Sequence, residues 1–184
     1  MRIALGFRVH SGWAAMVAAA GTADAPEIVG RRRIVMADLV APRGNQPYHA
    51  AAELPFAQGE ELVRRAVESA RAMARQAIAE SLKELRGRGH EVVGASVLFA
   101  SGRPLPDLAA ILAAHPLIHT AEGELYREAL VWGAQECGLP VTRLREKELD
   151  GAVLQRLHAF AKSLGPPWTQ DQKYAAAAAL AARK

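Results

Sequence analysis

The segment HPLIHTAE holds the densest group of chemically reactive side chains, with His115, His119 and Glu122. A histidine with a glutamate three residues later can place two ligands on one helical face, as zinc and di-iron sites require. Pro116 and Thr120 argue against this geometry, because proline disturbs a helix and threonine often caps one. The sequence therefore predicts a helix that begins after Thr120, with both histidines in the preceding loop. The alternative is that this group binds a metal ion or acts as an acid–base pair.

Glu122 is open to two interpretations at the start of that helix. Gly123 follows it and permits close backbone approach, which suits a site residue near the crevice where open α/β sheets bind ligands. Alternatively, its negative charge stabilises the positive first turn of the helix.

A second candidate group lies in the segment QPYHAAAELP, inside a proline-rich stretch predicted as a loop over residues 38–58. Long loops are uncommon inside compact domains and are often functional. His49 and Glu53 are four residues apart, so they would share one face if this stretch formed a helical turn. Tyr48 is their neighbour.

Positive charge is concentrated in the run Arg31, Arg32 and Arg33, in a chain with a net charge of +4 and a pI near 9.6. Basic side chains attract phosphates and release the counterions of nucleic acids. These three arginines, together with Arg8, are candidate nucleic-acid contacts. The alternative is a solvated surface without a ligand.

The composition excludes several classes of protein. A hydrophobic fraction of 51% over 184 residues excludes a disordered chain and fits one domain over residues 1–184. No apolar run approaches the roughly 18 residues of a membrane helix. Cys137 is the only cysteine, which excludes a disulfide framework. The first residues are typical of a strand and not of a signal peptide, so we expect a cytoplasmic protein.

Apolar patterning and turn residues predict the elements that must position these side chains. Thr169 is the predicted N-cap of the last helix, and Ser101 and Gly102 belong to a predicted turn. The predicted strands are 2–9, 13–20, 27–37, 91–100 and 139–146, and the predicted helices are 59–88, 106–114, a helix after 120, 148–163 and 169–183.

Three segments carry a resemblance to a known family: ALGFRVHSGWAAMV, VVGASVLFASG and TQDQKYAAAAALAA. Together with the order of elements, they resemble the ribonuclease H-like superfamily, in particular its Holliday-junction resolvase branch. The resemblance implies an α/β fold in which helices flank a mixed five-stranded sheet, with three antiparallel strands followed by two parallel ones.

The same resemblance implies carboxylates on the first strand and near the fourth strand that hold two divalent cations. Here Phe7 and Arg8 stand at the first-strand position, and residues 100–102 contain no acid. Asp171 alone matches the family pattern. Arg8 would repel a metal ion, so we expect no cofactor and a fold inherited without the two-metal chemistry.

Three functional hypotheses follow from the sequence. The first is a module without nuclease activity that binds nucleic acid or a protein. The second is an enzyme, a hydrolase or nuclease-like, whose rebuilt site consists of Glu122, His119, Asp171, Glu53 and His49. The third is a homodimer that associates through the 38–58 loop and the alanine-rich last helix.

Overall fold

The computed structural model describes residues 1–41, 43–100, 104–160 and 164–182. The strands are β1 (Arg2–His10), β2 (Trp13–Gly21), β3 (Pro26–Val35), β4 (Glu91–Phe99) and β5 (Val141–Arg145). The helices are α1 (Pro47–Ala51), α2 (Phe56–Gly87), α3 (Leu108–Leu112), α4 (His115–Glu136), α5 (Gly151–Ala159) and α6 (Gln170–Ala181), with a 3-10 helix at Glu146–Glu148. The predicted turn at Ser101 and Gly102 and the predicted helix ends at 161–163 and 183 lie outside the described residues.

The five strands form one mixed sheet in the order β3-β2-β1-β4-β5. The pairs β1–β2 and β2–β3 are antiparallel, whereas β1–β4 and β4–β5 are parallel. This confirms the predicted fold class. The carboxyl ends of the parallel strands β1, β4 and β5 meet at one side of the sheet, which we call the carboxyl edge.

Side-chain alternation divides β1 between two layers. Ile3, Leu5 and Phe7 are buried in the main core, beneath α2 and α4. Gly6 and Arg8 point to the opposite face, where α6 crosses β1 and β2. The first strand therefore supplies large apolar side chains to the main core, and the small residues Ala4 and Gly6 together with Arg8 to the layer of α6.

The alanine run of α6 packs directly on the sheet. Residues Ala175 to Ala179 are all buried. A Cβ atom added to Gly6 would lie 1.9 Å from the backbone oxygen of Ala175, so this close approach requires glycine. The predicted homodimer surface on this helix is therefore wrong, because its small side chains are already used inside the protein.

Two predictions about helices, the start of one and the absence of another, are wrong for the same physical reason. Helix α4 begins at His115, not after Thr120, and α1 lies within the stretch predicted as a loop. In both helices a proline, Pro116 or Pro47, occupies the first helical positions, where the backbone needs no N–H donor. The hydroxyl of Thr120 donates to the backbone oxygen of Pro116 within α4 and is not an N-cap.

Other boundaries shift by a few residues. Helix α2 begins at Phe56, before the predicted start at Gly59. The predicted N-cap of the last helix is confirmed, because the Thr169 side chain accepts a hydrogen bond from the backbone N–H of Gln172.

No described helix is long and apolar enough to cross a membrane.

Candidate functional site

Four charged or titratable side chains form a hydrogen-bonded group at the carboxyl edge: Arg8, His10, Glu146 and Asp171, here called the edge cluster. Arg8 donates from Nη1 to Oδ1 of Asp171 at 2.8 Å and from Nε to Oε1 of Glu146 at 3.0 Å. Nε2 of His10 lies 2.9 Å from the same oxygen of Asp171. The cluster joins β1 to the first turn of α6 and to the 3-10 helix after β5.

Aromatic rings extend this cluster along the sheet. The Arg8 guanidinium lies 4.6 Å from the centroid of the Tyr174 ring. The rings of His10 and Trp13 stack with 4.4 Å between their centroids, and the guanidinium of Arg33 on β3 lies 4.1 Å from the centroid of the Trp13 ring on β2. Contacts therefore run continuously from Arg33 on β3 to Asp171 on α6.

A cavity of about 370 Å³ opens beside the edge cluster. It lies between the ends of β1, β4 and β5, where open α/β sheets bind ligands. Among the residues that the structure describes, its charged lining side chains are Arg8, Arg127, Arg145, Lys147 and Glu146. Its three arginines are each paired with a carboxylate, Arg127 with Glu124 and Arg145 with Glu148, but a guanidinium has five N–H donors, so groups remain that an anionic ligand could accept from.

Arg127 is held in this lining by its own helix. Its Nη1 lies 3.2 Å from Oε1 of Glu124, whereas its buried Nε has no hydrogen-bond partner among the described residues. A Cβ atom added to Gly123 would lie 2.6 Å from Nη1 of Arg127. Gly123 thus makes room for the guanidinium of Arg127.

A second group of polar side chains, the histidine cluster, lies where α1 meets the start of α4. His115 and His119 are one helical turn apart, with 3.0 Å between their Nε2 atoms. His49 of α1 packs edge-on against both rings, with centroid distances of 5.2 Å to His115 and 4.7 Å to His119. One ring nitrogen from each histidine lies within 4.8 Å of the other two.

Glu122 lies beneath this cluster with only 2% of its surface exposed. Its Oε1 accepts hydrogen bonds from the backbone N–H of His49 at 3.1 Å and lies 2.9 Å from His49 Nδ1. Burial, and to a smaller extent the charge of Glu122, raises the pKa of Tyr126 to about 12, and the same two causes raise the pKa of Tyr48. The carboxylate of Glu122 therefore lies against His49 and near enough to both tyrosines to act on them electrostatically.

A scan of protein-family models and a search of curated proteins both gave no match. Solved structures do match. The chain is similar to Thermus thermophilus RuvC in complex with a Holliday junction substrate, with 12% identity, a TM-score of 0.56 and coverage of 98% of this chain and 91% of that one. A second T. thermophilus RuvC structure has 13% identity, a TM-score of 0.54 and coverage of 97% and 90%.

The chain has the RuvC fold. At this identity the likeness shows the fold alone, and it agrees with the resemblance carried by the sequence. Arg8 and Asp171, the two positions singled out from that resemblance, are in direct contact at the carboxyl edge.

The edge cluster does not fit the pair of divalent cations that the resemblance implies. Such a site needs several anionic oxygen ligands around each ion. The carboxylates of Asp171 and Glu146 both accept hydrogen bonds from Arg8, and its positive charge would repel an ion bound to the same carboxylates.

The structure divides the predicted acid and histidine set. His49, His119 and Glu122 come together, and His115 joins them, although the sequence placed it in a loop. Glu53 instead forms an ion pair with Arg43, and Asp171 belongs to the edge cluster. The spacing of four residues between His115 and His119 does indicate that the two rings share a helical face. That indication is lost if Pro116 is assumed to interrupt the helix.

The arginine run on β3 does not form one continuous patch on the RuvC fold, because successive strand residues face opposite sides. Arg31 donates to the backbone oxygens of Leu164, Gly165 and Pro167. Arg32 forms an ion pair with Glu84 on the α2 side. Arg33 contacts Trp13 and is exposed.

Proposed function

We propose that this chain is a nucleic-acid-binding module that contacts phosphates through the cavity at its carboxyl edge, without two-metal cleavage. The observation that carries the proposal is the cavity lining of four cationic side chains and one carboxylate. Cationic side chains give affinity for any nucleic acid by neutralising its phosphates. The proposal includes a cytoplasmic location, where nucleic acid would be available.

The orientation of Arg127 supports an anionic ligand in this cavity. Its Nε is buried and has no partner among the described residues, although a buried donor is normally hydrogen-bonded. A phosphate oxygen in the cavity would supply that partner. The RuvC structure that matches this chain was determined with a Holliday junction substrate, so branched DNA is the first ligand to test.

The contacts of Arg8 support the absence of two-metal cleavage. Its guanidinium neutralises the carboxylates that would otherwise be available to a cation. Of the candidate phosphate contacts from the sequence, Arg33 is exposed and connects to the edge cluster through Trp13, so we include it in the DNA-binding surface. Arg31 and Arg32 already hold other parts of this chain.

Fluorescence anisotropy with a labelled four-way junction and a labelled duplex of equal length tests the binding. We expect binding that weakens steeply with salt, and Lys147→Ala should reduce the slope of log K against log salt by about 1. Lys83→Ala is the matched control, because it removes an equally exposed lysine from α2, away from the cavity. Absence of binding at low salt, or equal effects of the two variants, would overturn the proposal.

Cleavage is measured on the same junction with added Mg²⁺ or Mn²⁺. The expected result is an intact substrate over the range of protein concentrations that saturates binding. Metal-dependent cuts that are abolished by Asp171→Asn would show that this edge is a working nuclease site and would contradict the non-catalytic part of the proposal.

A second candidate function is a hydrolase that uses the histidine cluster and Glu122 as acid and base. It is favoured by the contact between His49 and Glu122, since a buried carboxylate that orients a histidine is a common arrangement for proton transfer. Chromogenic carboxylic and phosphate esters test it, with Glu122→Gln expected to lower the rate. Turnover that is absent, or unchanged in Glu122→Gln, would exclude this function.

Self-association stays a proposal for the 38–58 loop alone, now that the alanine helix is known to be buried. The loop region exposes Val40 (94%), Phe56 (50%) and Leu39 (40%). Light scattering over a concentration series tests it: we expect a dimer that Val40→Asp dissociates, and a monomer at all concentrations would remove the proposal.

A further inference from the structure

We propose that His49, His115 and His119 form a Zn²⁺ site, with Glu122 as the carboxylate that orients His49. Among the described residues, these three histidines are the group whose ligand atoms lie close enough together to share an ion. The inference uses the same cluster as the hydrolase candidate, but it is independent of the proposed binding of DNA.

The geometry of the histidine pair on α4 fits a metal ion. Two nitrogens bound to a tetrahedral Zn²⁺ at about 2.0–2.1 Å lie about 3.3 Å apart. The Nε2 atoms of His115 and His119 are separated by 3.0 Å, so a small rotation of either ring opens this distance. Their spacing of four residues places both rings on one side of the helix, which is a common arrangement for two zinc ligands.

His49 supplies the third ligand from a different element. Its Nδ1 is 2.9 Å from Oε1 of Glu122, so a proton on Nδ1 leaves the lone pair of Nε2 available to the ion. Metal-binding histidines usually donate their other ring N–H to a carboxylate or carbonyl, which fixes the tautomer and raises the basicity of the ligand. The backbone N–H of His49 donates a hydrogen bond to the same oxygen, which holds the His49 backbone in place next to Glu122.

Burial of Glu122 is an independent reason to expect a cation here. A carboxylate that is 2% exposed is costly unless positive charge is nearby. The side-chain hydrogen-bond partner of this carboxylate is the ring of His49, which is itself largely buried, with a side-chain exposure of 18%. A divalent ion bound by three neutral imidazoles would supply the missing positive charge.

The chemistry of the ligands selects the ion. Imidazole nitrogens suit Zn²⁺ and neighbouring transition metals, whereas Mg²⁺ requires oxygen ligands. Three protein ligands leave a fourth tetrahedral position open to water, as in catalytic zinc sites. His115 and His119 are exposed, so the open position faces solvent and is accessible to a ligand.

Metal binding is measured directly. Chelator-treated protein is titrated with Zn²⁺ in competition with a chromophoric chelator, and with Co²⁺, whose visible spectrum reports tetrahedral coordination. We expect saturation at a single ion per chain and weaker binding at acid pH, where the histidines are protonated. Glu122→Gln should weaken Zn²⁺ binding by about 10–100-fold, and His119→Ala by more than that.

His158→Ala is the matched control, since His158 is an exposed histidine on α5 outside the cluster. Circular dichroism establishes that each variant is folded. Zn²⁺ affinity that is unchanged in both His115→Ala and His119→Ala, or equally reduced in His158→Ala, would overturn the site, as would the lack of saturable binding. Either result leaves the DNA-binding measurement unaffected, and hydrolysis without metal would remain separately testable.

Discussion

The guanidinium of Arg8 and the carboxylate of Asp171 join the first strand to the start of the last helix, with 2.8 Å between Nη1 and Oδ1. Their side chains are 20% and 24% exposed, so solvent screens this ion pair less than one on the surface. The pair ties together residues that are 163 positions apart in the sequence. It stabilises the fold at the place where the resemblance implied metal ligands.

Replacing Arg8 should destabilise the protein. Arg8→Met keeps most of the aliphatic stem but leaves Asp171 and Glu146 without the guanidinium, which we expect to cost about 1–3 kcal/mol in the free energy of unfolding. Urea denaturation measures this cost. Arg65→Met is the control, because Arg65 pairs with Glu61 at an exposed position and should give no measurable change. Equal midpoints for wild type and Arg8→Met would contradict the structural role.

A methyl group at Gly6 should prevent close contact between β1 and α6. The added Cβ would meet the backbone oxygen of Ala175, which cannot rotate away as a side chain would. We expect Gly6→Ala to lower the free energy of unfolding by about 3 kcal/mol or more, measured by thermal or urea denaturation. Gly30→Ala on β3 has no atom within 4 Å of the new methyl group and should be neutral or slightly stabilising. Similar losses in both variants would be inconsistent with this packing.

Stability should fall at alkaline pH because of Tyr126. Its pKa is raised from 10.0 to about 12 in the folded protein, so above pH 10 the unfolded chain releases the phenolic proton while the folded protein keeps it. Between pH 10 and about 12, this favours unfolding by about 1.4 kcal/mol per pH unit. Urea denaturation across this window should show a shallower decline for Tyr126→Phe, with Tyr48 still contributing in the same direction. Identical pH slopes would disprove the assignment to Tyr126.

Gly123→Ala should weaken the binding of DNA without lowering the stability of the fold. The new methyl group would displace the flexible end of Arg127, and alanine is favoured over glycine in a helix by up to about 1 kcal/mol. We expect an unchanged or higher melting temperature together with weaker binding of junction DNA by fluorescence anisotropy. Gly87→Ala, where nothing lies within 4 Å of the new methyl group, should leave DNA binding unchanged. Full affinity in Gly123→Ala would show that DNA binding does not use the position of Arg127.

The sequence predicted the sheet well because its strands are local apolar runs bounded by turn residues. The buried run of β4 and the alternation of β1 can be recognised without knowledge of distant contacts. The Thr169 cap was predicted for the same reason, since its partner Gln172 is only three residues away. Local signals therefore determined most of the architecture.

The two clusters were harder to predict, since they depend on contacts between distant parts of the chain. His49 meets Glu122 across 73 residues, and no pattern within either segment reports that contact. The shared helix of His115 and His119 is hard to predict for a local reason. A proline inside a helix breaks it, but at the first helical positions, where Pro116 lies, proline favours helix formation. Arg31 and Arg33 lie on the opposite face of the sheet from Arg32. Each face therefore carries less positive charge than three consecutive arginines in the sequence indicate.

The packing of α6 on β1 and β2 also constrains when the protein can fold during synthesis. One face of β1 and β2 is covered by α6 (Gln170–Ala181), which follows all the other described elements in the sequence. Until the ribosome has released those residues, the face that carries Gly6 and Val17 has no cover, and Arg8 has no carboxylate from Asp171. Domains usually fold as units, so this layer of the sheet cannot reach its final form before α6 has been synthesised.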